Sequence, residues 1–127
     1  MLKSDVSSND NNDTSLVIKA TISDLVYLFT GDASNLVEKN LIKKYPDLKV
    51  DVLKVSHHGS TTGTCSEFLE VVRPKIALIS CGRDNRYGHP SDAVLRRLED
   101  YDIKIYRSDL MGMVKIVYYG DDNYIYP

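Results

Sequence analysis

Apolar positions along the chain fall into short runs, each closed by a polar loop rich in glycine, proline or asparagine. Residues 14–21 (TSLVIKAT) and 24–32 (DLVYLFTGD) both have strand composition and are separated by a very short link. They predict a β-hairpin turning at residues 22–24, with a second strand so apolar that it must be buried on both faces. Within 33–45, Leu36, Val37, Leu41 and Ile42 recur at helical spacing, Lys43 and Lys44 suit a final turn, and Pro46 stops the helix. Residues 50–56 (VDVLKVS) predict the next strand. A glycine- and threonine-rich loop at 59–64 then leads to a short helix over 66–72, ended by Pro74. Residues 75–81 (KIALISC) predict a further buried strand, and the loop 82–90 (GRDNRYGHP) delivers a helix with Ser91 as N-cap and Val94, Leu95 and Leu98 on its inner face. Residues 103–108, 112–120 and 123–126 read as closing strands.

Strands alternating with helices indicate an α/β layered domain. Every polar loop follows the C-terminal end of an apolar strand, where side chains on a rigid scaffold converge on ligands. At 127 residues the chain is one domain at most. Residues 1–11, polar and asparagine-rich, are expected to be a disordered tail or a cut edge, with the domain occupying 12–127. A net charge of -2 gives no general attraction to nucleic acid or anionic lipid, so any such contact must be local. No apolar run approaches the roughly 18 residues of a membrane span, and the N-terminus has no signal-peptide core. Two cysteines, Cys65 and Cys81, form neither a disulfide framework nor a C-x-x-C knuckle and read as buried or half-buried thiols.

Four short stretches carry candidate chemistry. In FTGD (29–32) a buried strand ends on Asp32, either the N-cap of the following helix or a site carboxylate. In SHHGS (56–60) two of the three histidines sit side by side. On an extended segment their rings point to opposite faces, one toward the sheet rim and one toward the neighbouring loop. Gly59 allows a sharp turn there and Ser60 offers a hydroxyl and an N–H. In NRYGHP (85–90), Asn85, Tyr87 and His89 share a loop that is either a structured turn, with Asn85 bonding its own backbone, or the edge of a substrate site. In YRSDLMG (106–112) a type I turn capped by Asp109 competes with Arg107 as a phosphate contact.

Each stretch alone is weak, but their order and spacing are specific. SLVI, FTGD, DVLKVSHHGS, ISCG, NRYGHP and YRSD in succession resemble the second half of a metallo-β-lactamase-fold domain. More narrowly, they resemble the hydrolase-like domain of the ComEC type, the DNA-internalisation protein of competence. That resemblance runs from about residue 12 to 119. It implies half of a four-layer αββα sandwich, a mixed sheet with helices packed on one face. It also implies a metal site at the rim, which in the complete family domain holds two zinc ions. On this resemblance Asp32 is the bridging carboxylate and His58 a metal ligand. His57 is a neighbour touching substrate, though the roles of the two histidines are interchangeable on the sequence. His89 is a candidate acid against a phosphate leaving group, beside Asn85, Tyr87 and Ser60 as substrate contacts. Arg107 and Ser108 stand where the family often has a threonine–aspartate pair, so Arg107 is only a candidate substrate contact.

The sequence departs from the family at one decisive place. The H-x-H-x-D-H motif that supplies most of the metal ligands is absent, and Asp32 with one or two histidines cannot close a tetrahedral zinc site. The expectation is therefore a segment of a metal-dependent phosphodiesterase or nuclease, catalytically poor alone, with zinc absent or incomplete. Its partner would be the missing N-terminal half, or a second copy paired through an exposed sheet face. DNA or another phosphodiester would be the substrate. The parent protein would be membrane-attached, with this portion soluble. Two alternatives stay open: a non-catalytic module binding nucleic acid or phosphate, and a free-standing phosphoesterase such as a phosphocholine esterase.

Overall fold

The short link at 22–24 does reverse the chain. In the computed structural model, which describes all residues except 4, 5, 7–9, 121 and 127, β1 (Ile18–Ile22) pairs antiparallel with β2 (Leu25–Phe29). Ile22 faces Leu25 across the register, leaving Ser23 and Asp24 as the two-residue turn, with Ser23 at φ 51°. β3 (Val52–Lys54), β4 (Ile76–Ile79) and β5 (Lys104–Arg107) are then added in parallel, giving the order β1-β2-β3-β4-β5. The crossovers are α1 (Asn35–Lys44), α2 (Ser66–Val72) and α3 (Asp92–Asp100). Strands laid down one after another in a single direction, through connections of the usual right hand, place all their helices on one face.

The register shows which face that is. Leu28, Leu53 and Ala77 lie in one row across the sheet, all without solvent exposure, and join Val37, Leu41, Phe68, Leu69, Val72, Val94 and Leu98 from the helices in one core. Burying each of these larger side chains contributes on the order of 1.5–3 kcal/mol. The neighbouring row, Phe29, Lys54, Leu78 and Tyr106, points the other way. Here β6 (Lys115–Tyr119) and β7 (Asp122–Tyr126) form a separate antiparallel hairpin. Its Tyr118 hydroxyl is hydrogen-bonded to that of Tyr27, so the hairpin meets the second face near β2. Residues 112–114 meet it near β4 and β5, enclosing a cavity of about 260 Å³ with Lys54, Leu78 and Tyr106.

Several elements are shorter than their apolar runs. Residues 14–21 shrink to β1 because Asn11–Thr14 close into a 3₁₀ turn, capped by the Asp10 side chain on the Asn12 N–H. The strand expected over 50–56 is only Val52–Lys54, since the chain turns at Ser56. The N-cap of α1 is Ser34 rather than Asp32. Ser108–Met111 form a one-turn helix, α4, where a type I turn was expected. The expected tail falls partly on residues outside those described; of the described ones, Leu2 bridges to Val17 and Val6 packs against the core.

One buried carboxyl was not foreseen. Glu38, in the first turn of α1, has no solvent exposure, and its two carboxylate oxygens accept the Thr64 and Cys65 N–H groups at 2.7 and 2.9 Å. Cys65 is the N-cap of α2 and its own side chain caps nothing, so Glu38 takes up orphan donors of that helix from a distance. Arg97 reaches the same corner, donating to the Thr64 carbonyl at 2.7 Å.

Candidate functional site

Four loops leave the carboxyl ends of the parallel strands and are stitched to one another in order. After β2, the Thr30 hydroxyl donates to the Lys54 carbonyl and the Gly31 carbonyl accepts the His57 N–H at 3.0 Å. After β3, the Gly59 carbonyl accepts the Ser91 N–H at 2.9 Å, tying the histidine turn to the head of α3. After β4, Cys81 exchanges two hydrogen bonds with the Ser108 hydroxyl beyond β5, both 2.9 Å. The carboxyl edge of the sheet is thus one continuous rim.

The histidine pair is not extended. His57 (φ 44°, ψ 46°) and His58 (φ 55°, ψ 22°) are both left-handed, a conformation that costs a non-glycine residue roughly 1–2 kcal/mol. The turn closes with the Ser60 N–H on the His57 carbonyl at 2.9 Å. It is held from outside by Gly59 at φ +83°, against which Pro90 packs so closely that an added Cβ would lie 2.5 Å from the proline Cβ. Instead of pointing to opposite faces, the two rings stay at the rim with centroids 6.4 Å apart.

His58 Nδ1 lies 2.5 Å from the Ser80 carbonyl. A carbonyl only accepts, so Nδ1 is the donor, which leaves Nε2 as the ring nitrogen through which the imidazole could serve as a ligand. His57 reaches His89, 5.9 Å away at an interplanar angle of 64°. His89 Nδ1 is buried without a hydrogen-bond partner, and burial, then the neighbouring His57 and His58, depress the basicity of its ring. All three histidines of the chain therefore meet at one place, although the third lies some thirty residues from the pair.

Asn85 shapes the loop that carries His89. Its carboxamide donates to the Gly82 and His89 carbonyls at 3.0 and 2.5 Å and accepts the His89 N–H at 3.0 Å, so both ends are engaged inside the loop. Tyr87 stacks on His89 at 5.9 Å and 19°. These residues line an open cavity of about 210 Å³ with His58, Cys81 and Gly82.

The relatives of this chain share most of its length. ComE operon protein 3 of Bacillus subtilis is 38% identical over 107 residues, which are 84% of this chain and 14% of that protein. Competence protein ComA of Neisseria gonorrhoeae is 37% identical over 107 residues, 84% of this chain and 16% of its own length. Recombination protein 2 of Haemophilus influenzae is 37% identical over 94 residues, 74% of this chain and 12% of its own length. The chain is homologous to a segment of ComEC-type competence proteins. It spans only 12% to 16% of these three relatives. No protein-family model matches it.

The other candidates are placed as follows. The Asp32 N–H is held by the Ser15 hydroxyl at 3.2 Å, and the Asp32 carboxylate partly offsets the burial that lowers the basicity of Lys54. That half-buried lysine, set in an apolar strand, was missed from the sequence; Cys81 is the half-buried thiol expected, but its place on the cavity wall was not read, and its thiol is pushed up by burial and by Asp109. Ser60 is buried, its hydroxyl bonded to Thr62. Arg107 does not line the histidine cavity. Its guanidinium grips Asp109 through two bonds of 3.1 and 2.7 Å, which raises its own basicity and holds the Asp109 carboxyl below the usual range.

A catalytic zinc takes three protein ligands and leaves a fourth position open. Among the described residues no group of three or more His, Cys, Asp or Glu side chains is arranged to hold a metal ion. The donors of this chain therefore do not by themselves fit the group. Nor is any helix among the described residues long and apolar enough to cross a membrane.

Proposed function

We propose that this chain, over residues 12–127, is the half of a metallo-β-lactamase-type domain that supplies the second set of loops to a phosphodiester-hydrolysing site in a competence DNA-uptake protein. The convergence of all three histidines at the carboxyl rim carries this reading. His58 has its Nδ1 engaged by the Ser80 carbonyl, which leaves Nε2 as its ligand atom, and Asp32 follows β2 on the same edge. These are the chain's own contributions to two zinc ions, whose remaining ligands come from another stretch of polypeptide. Zinc would supply activation of water and charge stabilisation at the phosphate. His57 and His89 face the substrate phosphate, and Asn85 holds His89 in place through its backbone. The parent protein is membrane-attached and this segment lies outside the membrane.

The second face of the sheet, only partly met by the C-terminal hairpin, receives the other half-domain. Phe29, at 37% exposure, and Lys54 lie there next to the site. Pairing of two copies through this face is the competing arrangement, and sedimentation equilibrium of the isolated chain separates the two.

The deciding experiment measures zinc content and hydrolysis of bis(p-nitrophenyl) phosphate for this chain and for a longer protein that also carries an H-x-H-x-D-H segment. Hydrolysis and stoichiometric zinc are expected only in the longer protein. Both properties in the isolated chain would refute the shared-site reading. Zinc without hydrolysis in the longer protein would favour a binding module.

A further inference from the structure

Tyr87 is conspicuous for where it is exposed. It shows 66% of its surface to solvent, yet it belongs to the site loop and stacks on His89. Exposed tyrosines are ordinary on protein surfaces, and the C-terminal hairpin has its own at Tyr119, Tyr124 and Tyr126. Tyr87 differs in being held. Below it, His89 is fixed by Asn85 and abuts His57. Beside it, the Arg86 guanidinium lies 4.9 Å from the ring centroid and donates to the Tyr87 hydroxyl at 2.7 Å. Arg86 has no carboxylate partner among the described residues.

We infer that Tyr87, with Arg86 at its edge, is a stacking platform for an unpaired nucleobase, placed so that the adjoining phosphate falls toward His57, His58 and His89. The inference rests on the phosphodiester reading above and narrows its substrate to a nucleic-acid strand with accessible bases. A planar base extends the column of rings that His89 and Tyr87 begin, and such stacking tolerates any base because every base has a π face. The cavity that His58 and His89 line is also lined by Tyr87, so base and phosphate are served from one side. Arg86 also discriminates. A quaternary-ammonium headgroup would be drawn to a bare tyrosine face, but a guanidinium bonded at the hydroxyl edge, 4.9 Å from the ring centroid, repels a second cation and favours a neutral base with its anionic phosphate. With a net charge of -2 the chain gains nothing from a general basic field, so a local aromatic contact must carry much of the affinity.

The test is equilibrium binding of a short fluorescein-labelled oligothymidylate and of an abasic oligomer of equal length, read by fluorescence anisotropy on this chain. The oligothymidylate should bind more tightly than the abasic strand. Tyr87→Ala should weaken the oligothymidylate roughly 5- to 100-fold while leaving the abasic strand unchanged, and Tyr87→Phe should keep most of the affinity. Because the side chain is exposed, the Ala variant should melt with the wild type, which a far-UV circular dichroism scan verifies. The chain has no tryptophan, so Tyr87→Trp adds a single fluorophore that the bound base should quench. Phosphocholine should not compete. Equal binding of both strands, with no effect of Tyr87→Ala, overturns the platform and leaves the phosphodiester reading standing. Binding of neither strand overturns the platform and the nucleic-acid reading together.

Discussion

Glu38 offers a test of the fold in which every other titrating group cancels. Its carboxyl is fully buried, and burial pushes its pKa from the ordinary 4.5 up to about 7, against the pull of the Cys65 and Thr64 N–H groups and of Arg97. A carboxyl whose pKa is raised on folding keeps its proton in the folded chain after the unfolded chain has released it. The stability it contributes is therefore complete below pH 4.5, falls across the window from 4.5 to about 7, and is gone above that. The gap between the two values corresponds to ~3 kcal/mol, at ~1.36 kcal/mol per pH unit. Glu38→Gln has no proton to release. It places an amide N–H₂ against one backbone N–H, a penalty of about 1–3 kcal/mol that does not vary with pH. The assay is urea unfolding of both proteins, followed by circular dichroism at several pH values from about 4 to 8. All other titrating groups are common to both and cancel in the difference, which should move in favour of the glutamine variant by ~3 kcal/mol as pH rises. A flat difference would refute the reasoning. A difference moving against glutamine would show that the two N–H donors and Arg97 hold Glu38 ionised.

Three further outcomes test the rim itself. Gly59→Ala must place a Cβ 2.5 Å from that of Pro90 at φ +83°, so urea unfolding should show a loss of about 2–4 kcal/mol, and the His57 and His89 imidazole resonances should shift. Asn85→Ala removes three hydrogen bonds within the loop and should cost about 1–3 kcal/mol while speeding proteolytic cleavage in 82–90; Asn85→Asp, which keeps the acceptor for the His89 N–H, should fall between. His57→Gly should be more stable than His57→Ala by about 1 kcal/mol in the same unfolding assay, because only glycine occupies φ 44° without strain.

Where local chemistry decides structure, the sequence is readable. The helix over Ser66–Val72 ends where Pro74 stops it, and the helix capped by Ser91 lies where its cap and apolar spacing put it. The hairpin at 22–24 follows from two strand-like runs too close to be joined any other way. Where a distant contact decides, reading fails for a physical reason. Glu38 sits between Val37 and Lys39 in a charged stretch that looks solvent-facing, and it is buried because α2, twenty-seven residues on, begins at a residue with no capping side chain. Lys54 looks like one polar interruption of a strand; nothing near it in the sequence says that Asp32 and the second sheet face lie beside it.

The histidine pair joins these two cases. Its presence after an apolar strand was legible; its shape was not. In an extended strand one ring would leave the rim, and His58 would not reach the Ser80 carbonyl while His57 faces His89. Two successive left-handed residues keep both rings on one side, at a strain of roughly 1–2 kcal/mol each. Nothing within the turn repays this beyond the single Ser60–His57 bond. The offset comes from elsewhere: Pro90 packed on Gly59, the Ser91 N–H on the Gly59 carbonyl, and the Gly31 carbonyl on the His57 N–H. Each of these clamps comes from a loop that carries, or adjoins, another candidate site residue. A turn kept only for stability would have had glycine at both strained positions. Histidines held there by three neighbouring contacts argue that the conformation is maintained for what the two rings do at the rim.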